Sequence, residues 1–597
     1  MIIIFVCLVA IIYAIQLFAL QILNPDYKAS ADSNAFLKRT RYPARGIMYD
    51  RNGELLVFNQ PAYDLMVVFK ETQTFDTLEL CHIIKKDIDY FRKRQKDIKN
   101  RGLNPGYSPY TPQIFLTQLG IEEYSLFQES LYKFPGFYAQ RRTVRDYKYP
   151  NGAHALGYIA EADKNNIAED DYYTRGDYIG KNGIENSYEK YLRGEKGVEI
   201  LLRDSKGRIK GKYKEGIHDK DPIPGKNLKL SIDIELQAYG EELMRNKLGS
   251  IVMIEPSTGE VLCMVSSPTY DPVTLVGREF GSGYKVLKDN PYTPLLNRAI
   301  GGTYPPGSTF KIAQGLTFLE EGIIQPKTSF YCWHKSARPN CHAHGSPLSL
   351  VPAVATSCNA YFSLGLRGML ENRKKYKSFQ EAIDVWRDHM VGQGFGYKLG
   401  VDLPSELRGL IPNSGYYDKQ TGGRWNAFSV ISIAIGQGEV TTTPLQICNL
   451  AASIANRGFF YTPHVVKEIA DTPLDTLYTK KRYTSIDSEH YKPIVEGMRL
   501  AVTGGTCRSA NIPDIVVCGK TGTAENKGKD HSIFMAFAPM EDTKVAIYVY
   551  VENAGYGATY AVPIGRLMIQ KYLKREIPAS DKDLEKRMKN AVIHYAL

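Results

Sequence analysis

Three short motifs in one order restrict this chain more than any other feature of its sequence. Ser308-Thr309-Phe310-Lys311 comes first, Ser357-Cys358-Asn359 second and Lys520-Thr521-Gly522-Thr523 third. All three follow a single hydrophobic segment at the N-terminus. A hydroxyl one helical turn from a lysine, followed by further hydroxyl, amide and lysine side chains, is typical of enzymes with a nucleophilic serine. The sequence therefore predicts an exported enzyme of this kind.

The N-terminal segment predicts one membrane crossing. Residues 2–23 carry no charged side chain, and a helix of that length extends about 33 Å, slightly more than a bilayer core. We therefore expect residues 1–23 to be an uncleaved anchor. A cleaved signal peptide is the alternative, because Ala29-Ser30-Ala31 resembles a small-residue cleavage site. Long domains cross membranes despite basic residues behind the span, so the body is expected outside the cytoplasm.

Composition excludes a disordered chain and gives no support to nucleic-acid binding. The chain has 597 residues, 43% of them hydrophobic, and a formal net charge of +11. A charge excess spread over so long a chain is ordinary solvated surface. The densest basic run, residues 85–101, is interrupted by Asp87, Asp89 and Asp97. This pattern favours an exposed helix or loop, with contact to anionic lipid or a partner as second choice.

The chain is expected to divide at a polar stretch that contains Pro222-Ile223-Pro224-Gly225. Residues 24–225 are mixed and irregular and hold no catalytic constellation. Residues 226–580 are predicted to form the catalytic domain, and residues 581–597 a C-terminal tail.

Strands are predicted at both ends of the catalytic domain, with helices between them. The predicted strands cover residues 228–232, 251–254, 260–265, 515–518, 533–538 and 545–551, and helices are predicted at residues 233–248 and near 563–573. This order indicates an α/β domain with one antiparallel sheet and a helical insertion.

Ser308 is the candidate nucleophile. Pro305-Pro306-Gly307 cannot lie inside a helix, whereas residues 308–319 are good helix formers, so Ser308 is expected at a helix N-terminus. Unpaired N–H groups there favour the negative charge that develops on a carbonyl oxygen under attack. Lys311 lies one turn along the same face, where a lysine shielded from water can lose its proton and act as base. A phosphate-binding loop at residues 302–309 is excluded, because no lysine follows the second glycine.

The other two motifs supply polar partners for such a serine. The hydroxyl and amide of Ser357-Cys358-Asn359 can relay a proton and orient a substrate amide, and they can equally cap a helix. On a strand edge, Lys520 and Thr521 can bind a substrate carboxylate. Gly522 admits close backbone approach, and the Thr523 N–H can complete an oxyanion hole. A lysine-bearing turn without a catalytic role is the alternative for the third motif.

Three of the nine cysteines form a candidate metal site. Cys332, Cys341 and Cys358, with His344 between them, suit tetrahedral Zn²⁺ by ligand type, and His342 is a substitute for His344. The spacing fits no common zinc-finger pattern. A Cys332–Cys341 disulfide, or buried thiols that only pack, are the alternatives.

The three motifs resemble the S-x-x-K, S-x-N and K-T-G motifs of the penicillin-binding proteins. Further segments resemble the class B members, and among them the penicillin-binding protein 2 type of cell elongation. These segments are residues 45–53, 154–159, 180–185, 295–300, 434–438 and 441–444. The resemblance extends over nearly the whole chain. It implies a pedestal, or dimerisation-like, domain at residues 24–225 and a transpeptidase domain with a central five-stranded antiparallel sheet at residues 226–580.

The resemblance implies a peptidoglycan D,D-transpeptidase that is held in the bacterial inner membrane by a single span, with its catalytic domain in the periplasm. Ser308 is expected to attack the penultimate D-Ala of a D-Ala-D-Ala donor stem peptide, and an amine of a neighbouring stem peptide to accept the acyl group. β-Lactams are expected to acylate the same serine. The implied partners are a RodA-type membrane glycosyltransferase and other elongation-complex proteins, with no nucleic acid.

The roles of individual side chains transfer by resemblance onto matching positions. Lys311 is the expected base for Ser308. Ser357 and Asn359 are expected to relay protons and align the donor. Lys520, Thr521 and Thr523, around Gly522, are expected to bind the donor's terminal carboxylate or its acyl oxygen.

The resemblance also favours a structural zinc, because some relatives of penicillin-binding protein 2 carry a metal near the second motif. The expected ligands are Cys332, Cys341, His344 and Cys358, and catalysis itself requires no cofactor. Three other functions remain alternatives: a D,D-carboxypeptidase, a serine β-lactamase, and a non-catalytic scaffold or antibiotic sensor. A lactamase needs a water-activating residue and no long pedestal, and an idle scaffold has no use for intact serines and lysines.

Overall fold

The computed structural model describes residues 36–593, except residues 103, 105, 106 and 204–208, together with residues 4, 7, 11–14, 16 and 18. Most of the anchor expected at residues 1–23, and all of the alternative cleavage site at residues 29–31, lie outside the described residues. Within the part of the chain that is described, no helix combines the length and apolar composition needed to cross a membrane.

In the described part of the chain up to residue 226, strands of 2 to 13 residues are mixed with helices of 4 to 12 residues. The strands are β1 (Phe36–Arg41), β2 (Met48–Tyr49), β3 (Leu55–Val67), β4 (Gln113–Leu119), β5 (Phe137–Tyr147), β6 (Ile159–Glu161), β7 (Tyr178–Gly180), β8 (Gly197–Arg203) and β9 (Ile209–Lys212). The helices are α1 (Thr77–Ile83), α2 (Ile88–Lys99), α3 (Ile121–Glu129), α4 (Ala153–Leu156), α5 (Lys164–Glu169), α6 (Gly183–Ser187) and α7 (Glu189–Leu192).

The first compact unit comprises the described residues of Met1–Ile47, Asn59–Asp146 and Lys190–Lys226. One of its sheets has the order β1-β8-β9, with both neighbouring pairs antiparallel. Helices α1, α2 and α3 cover an aromatic core against β4, which contains Phe91, Phe115 and Phe134. The basic run at residues 85–101 forms α2, which buries Phe91 and Ile98 and presents its charged side chains to solvent.

From residue 227 onward the chain contains longer helices between its strands. The strands are β10 (Leu228–Leu230), β11 (Gly249–Ile254), β12 (Val261–Ser267), β13 (Phe459–Tyr461), β14 (Val466–Ile469), β15 (Lys481–Tyr483), β16 (Cys518–Ala524), β17 (His531–Ala538) and β18 (Val545–Val551). The helices are α8 (Ile234–Met244), α9 (Phe280–Asp289), α10 (Arg298–Gly301), α11 (Lys311–Glu320), α12 (Leu350–Thr356), α13 (Asn359–Leu370), α14 (Phe379–Gly392), α15 (Ser414–Thr421), α16 (Pro444–Ala455), α17 (Thr476–Thr479), α18 (Tyr491–Thr503), α19 (Ala561–Lys574) and α20 (Lys582–Asn590).

The second compact unit contains all three motifs. It comprises Asn227–Leu597 together with the earlier segments Met48–Phe58 and Tyr147–Glu189. The segment Met48–Phe58 belongs to this unit because its strand β2 pairs with β10 in parallel, with Met48 opposite Leu228. The unit is therefore built from three stretches of sequence, whereas the division expected at residue 225 is a single cut.

A five-stranded antiparallel sheet forms the centre of the second unit, in the order β12-β11-β18-β17-β16. Helices cover both of its faces, so strand residues that alternate in direction are buried on either side. Ile547 and Val549 of β18 share one hydrophobic core with residues of α8 and α19, and α16 packs on β11, β17 and β18. Because β16 is the last strand in this order, one edge of its backbone has no strand partner among the described residues.

The predicted mixed α/β domain is confirmed, with four differences from the predicted elements. The strand expected at residues 228–232 forms β10, which pairs with β2 and β14 outside the five-stranded sheet. The helix expected at residues 233–248 ends at Met244, because Arg245 leaves the helical region with a ψ of 134° and Asn246 follows with a left-handed φ of 61°. The strand expected at residues 515–518 instead begins at Cys518, after a turn in which Asp514 has a φ of 66°. The expected C-terminal tail contains α20, whose Met588 is buried in the core.

Phe534 of β17 is a central packing residue, and its truncation is expected to destabilise the second unit. A Cβ built on Gly519 or Gly565 would lie 2.8 Å or 2.5 Å from its ring, so β16 and α19 close tightly on both sides. Phe534→Ala is expected to lower the free energy of unfolding by about 3–5 kcal/mol, because it leaves a cavity at a fully buried site.

Chemical denaturation followed by tryptophan fluorescence measures this loss. Phe428→Ala is the control, since the Phe428 side chain is 60% exposed and its loss is expected to stay below about 1 kcal/mol. Equal losses for the two variants would contradict the packing described for Phe534.

Candidate active site

The loop that carries Ser308 is fixed by two glycines with left-handed backbones. Ser308 lies in a short 3-10 turn, Gly307–Phe310, that leads directly into α11. The Gly307 N–H donates to the Gly436 carbonyl at 2.9 Å. A Cβ on Gly436 would lie 2.2 Å from the Gly307 carbonyl oxygen, and a Cβ on Gly307 would lie 2.7 Å from that of Thr523. Glycine at both positions therefore lets the serine loop approach the third motif.

Lys311 is held by the second motif. Its side chain has no exposed surface, and its ammonium donates to the Ser357 carbonyl at 2.7 Å, to Ser357 Oγ at 3.2 Å and to Asn359 Oδ1. Burial holds the pKa of Lys311 well below its ordinary value, and the charge of Lys520 lowers it further. These shifts favour the neutral amine that a general base requires.

Ser357 is a hinge between two helices. It ends α12 with a left-handed φ of 57°, and Cys358 caps the N-terminus of α13. The helix-cap interpretation of this motif is therefore confirmed, and the catalytic one stays a prediction. The turn directs the Ser357 carbonyl and the Ser357 hydroxyl to the side-chain nitrogen of Lys311.

Lys520 approaches Ser357 from the other side. It lies inside β16, fully buried, and donates to Ser357 Oγ at 2.7 Å and to the Thr521 carbonyl at 2.9 Å. Burial lowers its pKa to about 8. Two lysines from distant parts of the sequence thus share one serine hydroxyl.

A cavity of about 450 Å³ lies beside Ser308 and Ser357. Of the predicted site residues, those that line it are Ser308, Ser357, Asn359, Thr521, Gly522 and Thr523. Ser308 is half-buried, and its hydroxyl makes no hydrogen bond to any described residue, Lys311 included. Buried ammonium groups require acceptors, and the second motif supplies them to Lys311.

The sequence interpretation missed several residues that line the same cavity. They are His342, Ile435, Gln437, Thr506, Glu525, Asp530, Tyr556, Gly557 and Ala558. Gln437 lies within residues 434–438, one of the segments that carry the family resemblance, so the sequence could have indicated it as a site residue. Thr506 follows Gly504-Gly505 at the end of α18, and no sequence pattern linked it to the motifs.

The predicted metal ligands form one cluster. The ligand atoms of Cys332, Cys341, His344 and Cys358 all lie within 4.8 Å of one another. The alternative of a Cys332–Cys341 disulfide is wrong for this structure, because all nine cysteines are free. His342, the substitute ligand, lines the catalytic cavity instead.

Hydrogen bonds around the cluster suit thiolate and imidazole ligands. Backbone N–H groups of residues 334, 359 and 361 donate to the sulfurs of Cys332, Cys341 and Cys358 at 3.3, 3.3 and 3.4 Å. His344 Nδ1 lies 2.7 Å from the Gly345 carbonyl, and its Nε2 lies 3.3 Å from Cys341 Sγ. A proton on Nδ1 leaves Nε2 free to bind a metal. Three sulfurs and one nitrogen are a donor set that fits tetrahedral zinc.

Comparison with known proteins agrees with these features. A family model described as the penicillin binding protein transpeptidase domain matches residues 249–570, and one described as the penicillin-binding protein dimerisation domain matches residues 40–230. The relative named peptidoglycan D,D-transpeptidase MrdA, from Acinetobacter baumannii, is 32% identical, and the match covers 91% of this chain and 82% of that protein.

Solved structures give the same result. Penicillin-binding protein 2 in its complex with MreC from Helicobacter pylori matches with a TM-score of 0.71 at 27% identity, over 90% of this chain and 99% of that one. A structure described as the coordination of polymerization and crosslinking by a peptidoglycan synthase complex has a TM-score of 0.69 at 25% identity, over 96% and 98% of the two chains.

Fold, site and matches together define a serine-type penicillin-binding transpeptidase. Within that class, the chain belongs to the penicillin-binding protein 2 family of peptidoglycan D,D-transpeptidases. The family resemblance of the sequence is therefore confirmed.

Gly436→Ala is expected to displace the serine loop with little damage elsewhere. Its new Cβ would collide with the Gly307 carbonyl, and a shift of about 1 Å at a reacting group costs about 100-fold in rate. The rate of labelling by a fluorescent penicillin measures the effect.

Gly422→Ala is the matched control, because Gly422 has a similar φ of 63° but nothing within 4 Å of its Cβ. Both variants carry the strain of a left-handed alanine, about 1 kcal/mol. A Gly436→Ala protein that labels as fast as the Gly422→Ala protein would contradict the proposed constraint on the loop.

Proposed function

We propose that this chain crosslinks peptidoglycan stem peptides through an acyl-enzyme on Ser308. The hydroxyl attacks the carbonyl of the penultimate D-Ala of the donor, the terminal D-Ala leaves, and an amine of a second stem peptide then takes the acyl group. The observation that carries this proposal is the convergence of Lys311 and Lys520 on Ser357 Oγ beneath the cavity that holds Ser308.

Lys311 is the proposed base in acylation. A neutral amine at the start of α11 accepts the hydroxyl proton of Ser308 as the new C–O bond forms. Ser357 then passes its hydroxyl proton to the departing amine of D-Ala and takes in its place the proton that Lys311 received from Ser308, because Lys311 donates to the Ser357 hydroxyl. Asn359 fixes the position of the Lys311 amine and presents its own amide to the donor backbone.

The third motif is proposed to receive the donor as an additional strand on the open edge of β16. Backbone groups on an unpaired edge form hydrogen bonds with an extended peptide. The N–H groups of Ser308 and Thr523 are the proposed donors to the developing oxyanion. Thr521 contacts the terminal carboxylate, while Gly522 leaves room for the donor backbone.

We also propose a membrane-anchored setting in cell elongation. The uncharged segment at residues 2–23 supports a single span in the inner membrane, with the catalytic domain in the periplasm. The matched structures of a complex with MreC and of a peptidoglycan synthase complex support assembly with other proteins of peptidoglycan synthesis. We propose a RodA-type membrane glycosyltransferase and other elongation-complex proteins as these partners. β-Lactams are proposed to acylate Ser308 by the route that the donor follows.

A structural zinc at Cys332, Cys341, His344 and Cys358 is proposed as well. The metal would bind through three thiolates and one imidazole, which leaves no protein-free position in a tetrahedral site and so no role in the reaction. Its effect would be mechanical, because Cys358 lies inside the second motif and the Asn359 N–H donates to Cys341 Sγ.

Labelling with a fluorescent penicillin tests the acyl-enzyme. Wild type is expected to give a stable covalent label, Ser308→Ala none, and Lys311→Met a rate lower by about 10²–10⁴, the usual contribution of a general base. Thr303→Ala, at an exposed hydroxyl of the preceding loop, is the control and should label like wild type.

The alternatives predict different outcomes in the same assay. Absence of label on wild type would refute the penicilloyl-enzyme. Rapid loss of the label would favour a β-lactamase. Release of D-Ala from a donor pentapeptide without crosslinked product, in the presence of an acceptor peptide, would favour a carboxypeptidase.

Metal analysis of the purified chain tests the zinc site. We expect about one zinc per chain for wild type and a large loss for Cys332→Ala, since three ligands hold the metal far less well than four. Cys81→Ala removes a buried thiol outside the cluster and should leave the metal content unchanged. Equal zinc content in wild type and Cys332→Ala would exclude the proposed ligand set.

A further inference from the structure

A second cavity, of about 570 Å³, lies in the second unit where β12 ends and β11 begins. The end of α8, the segment after β12 and the residues that follow α20 border it. Because β12 and β16 are the outer strands of the five-stranded sheet, four strand spacings, or about 19 Å, separate them. This cavity shares no lining residue with the one that contains Ser308. Its volume is in the range of small-ligand sites.

Two hydroxyl groups at this second cavity lack hydrogen-bond partners. The Tyr270 side chain lines the cavity and is only 6% exposed, and its hydroxyl has no partner among the described residues. The hydroxyl of Thr269, which also lines the cavity, is shielded from solvent and is equally unpartnered within the described part of the chain. Buried polar groups are nearly always hydrogen-bonded, and an unpartnered one is costly. Two such groups at one cavity indicate a missing acceptor.

Two cationic side chains line the same cavity. Lys247 is only 2% exposed, and its ammonium donates to the carbonyls of Arg245 at 3.0 Å and Met588 at 2.7 Å. An ammonium has three N–H groups, so one remains for a ligand. Burial lowers the pKa of Lys247 to about 8, which leaves most of it charged at pH 7. The exposed Arg245 guanidinium forms no ion pair with any described residue.

The acidic groups of the cavity limit the charge of the ligand. Glu241 already accepts hydrogen bonds from residues 151, 152 and 237, and Glu242 pairs with Lys589 at 2.9 Å. Asp271 accepts the Val273 N–H and has no cationic partner in the described part of the chain. Three carboxylates near two cations disfavour a doubly charged phosphate and permit a singly charged carboxylate. Asp271 can receive an amine at the other end of the ligand.

We propose that this cavity is a binding site for a short peptide with a free terminal carboxylate. The carboxylate accepts hydrogen bonds from the Tyr270 hydroxyl and from the remaining N–H of Lys247, and the peptide amine faces Asp271. Apolar side chains of residues 150, 248, 268 and 593 line the same cavity and suit the side chains of such a peptide. The inference is independent of the acyl transfer proposed for Ser308.

The probes for this site are trialanine, its C-terminal amide and inorganic phosphate. Trialanine and its amide differ only at the carboxyl group. Dissociation constants are measured by ligand-observed NMR on the full chain. Tyr270→Phe removes one hydroxyl and no hydrogen bond to a described residue, so the fold is expected to persist. Tyr483→Phe is the matched control, because that tyrosine is 73% exposed and lies elsewhere in the second unit.

Wild type is expected to bind trialanine about tenfold more tightly than the amide, because only the free carboxylate is charged. Phosphate is expected to bind more weakly than trialanine. Tyr270→Phe is expected to weaken trialanine binding about tenfold, which is the loss of one hydrogen bond to a charged group, and binding of the amide by about threefold or less. Tyr483→Phe should stay within about twofold of wild type with each probe, as an exposed substitution.

Three results would overturn the proposal. Equal affinity of wild type for trialanine and its amide would exclude recognition of a carboxylate. Unchanged trialanine binding in Tyr270→Phe would place the peptide elsewhere, the catalytic cavity included. Tighter binding of phosphate than of trialanine would replace the peptide with an inorganic anion. If Tyr270→Phe fails to fold, Thr269→Val is measured with the same probes and judged by the same ratios. Failure of the acyl transfer is distinct, because no acylation enters these measurements.

Discussion

The contacts of the Ser357 hydroxyl with the side-chain nitrogens of two buried lysines are the interactions on which the active site depends. Lys311 and Lys520 have no carboxylate partner among the described residues, and each donates to this oxygen. An unpaired buried charge is costly unless nearby oxygens receive it. The start of α11, the hinge between α12 and α13, and the edge strand β16 must therefore meet at one point. A shift of one of these elements would remove at least one acceptor from a buried lysine.

Close backbone contacts make this convergence geometrically feasible. Gly307 and Gly436 bring the serine loop against the third motif, and Gly505 brings the end of α18 against α12. At each of these places the nearest atom to an added Cβ is a backbone oxygen, which cannot rotate away. Packing at backbone distance also restricts the positions of Ser357 and Thr506, which both line the cavity that contains Ser308.

The cysteine cluster contacts the second motif and shares Cys358 with it. Cys358 is the middle residue of that motif, and Asn359 both donates its N–H to Cys341 and accepts from Lys311. A rigid cluster would therefore fix the backbone of Asn359, and through it the orientation of the Asn359 side chain.

The sequence by itself determined the order and types of the reactive side chains, the helix that begins near Ser308, and the α/β class of the catalytic domain. These features depend on local signals such as Pro305-Pro306-Gly307 and alternating strands, which act within a few residues. The tertiary structure alone decided that Lys520 meets Ser357 and that Thr506 meets Thr521. It also placed the third motif inside β16 and brought residues 48–58 into the second unit. Such pairings join positions far apart in sequence, and packing of the whole domain selects them, so no local pattern encodes them.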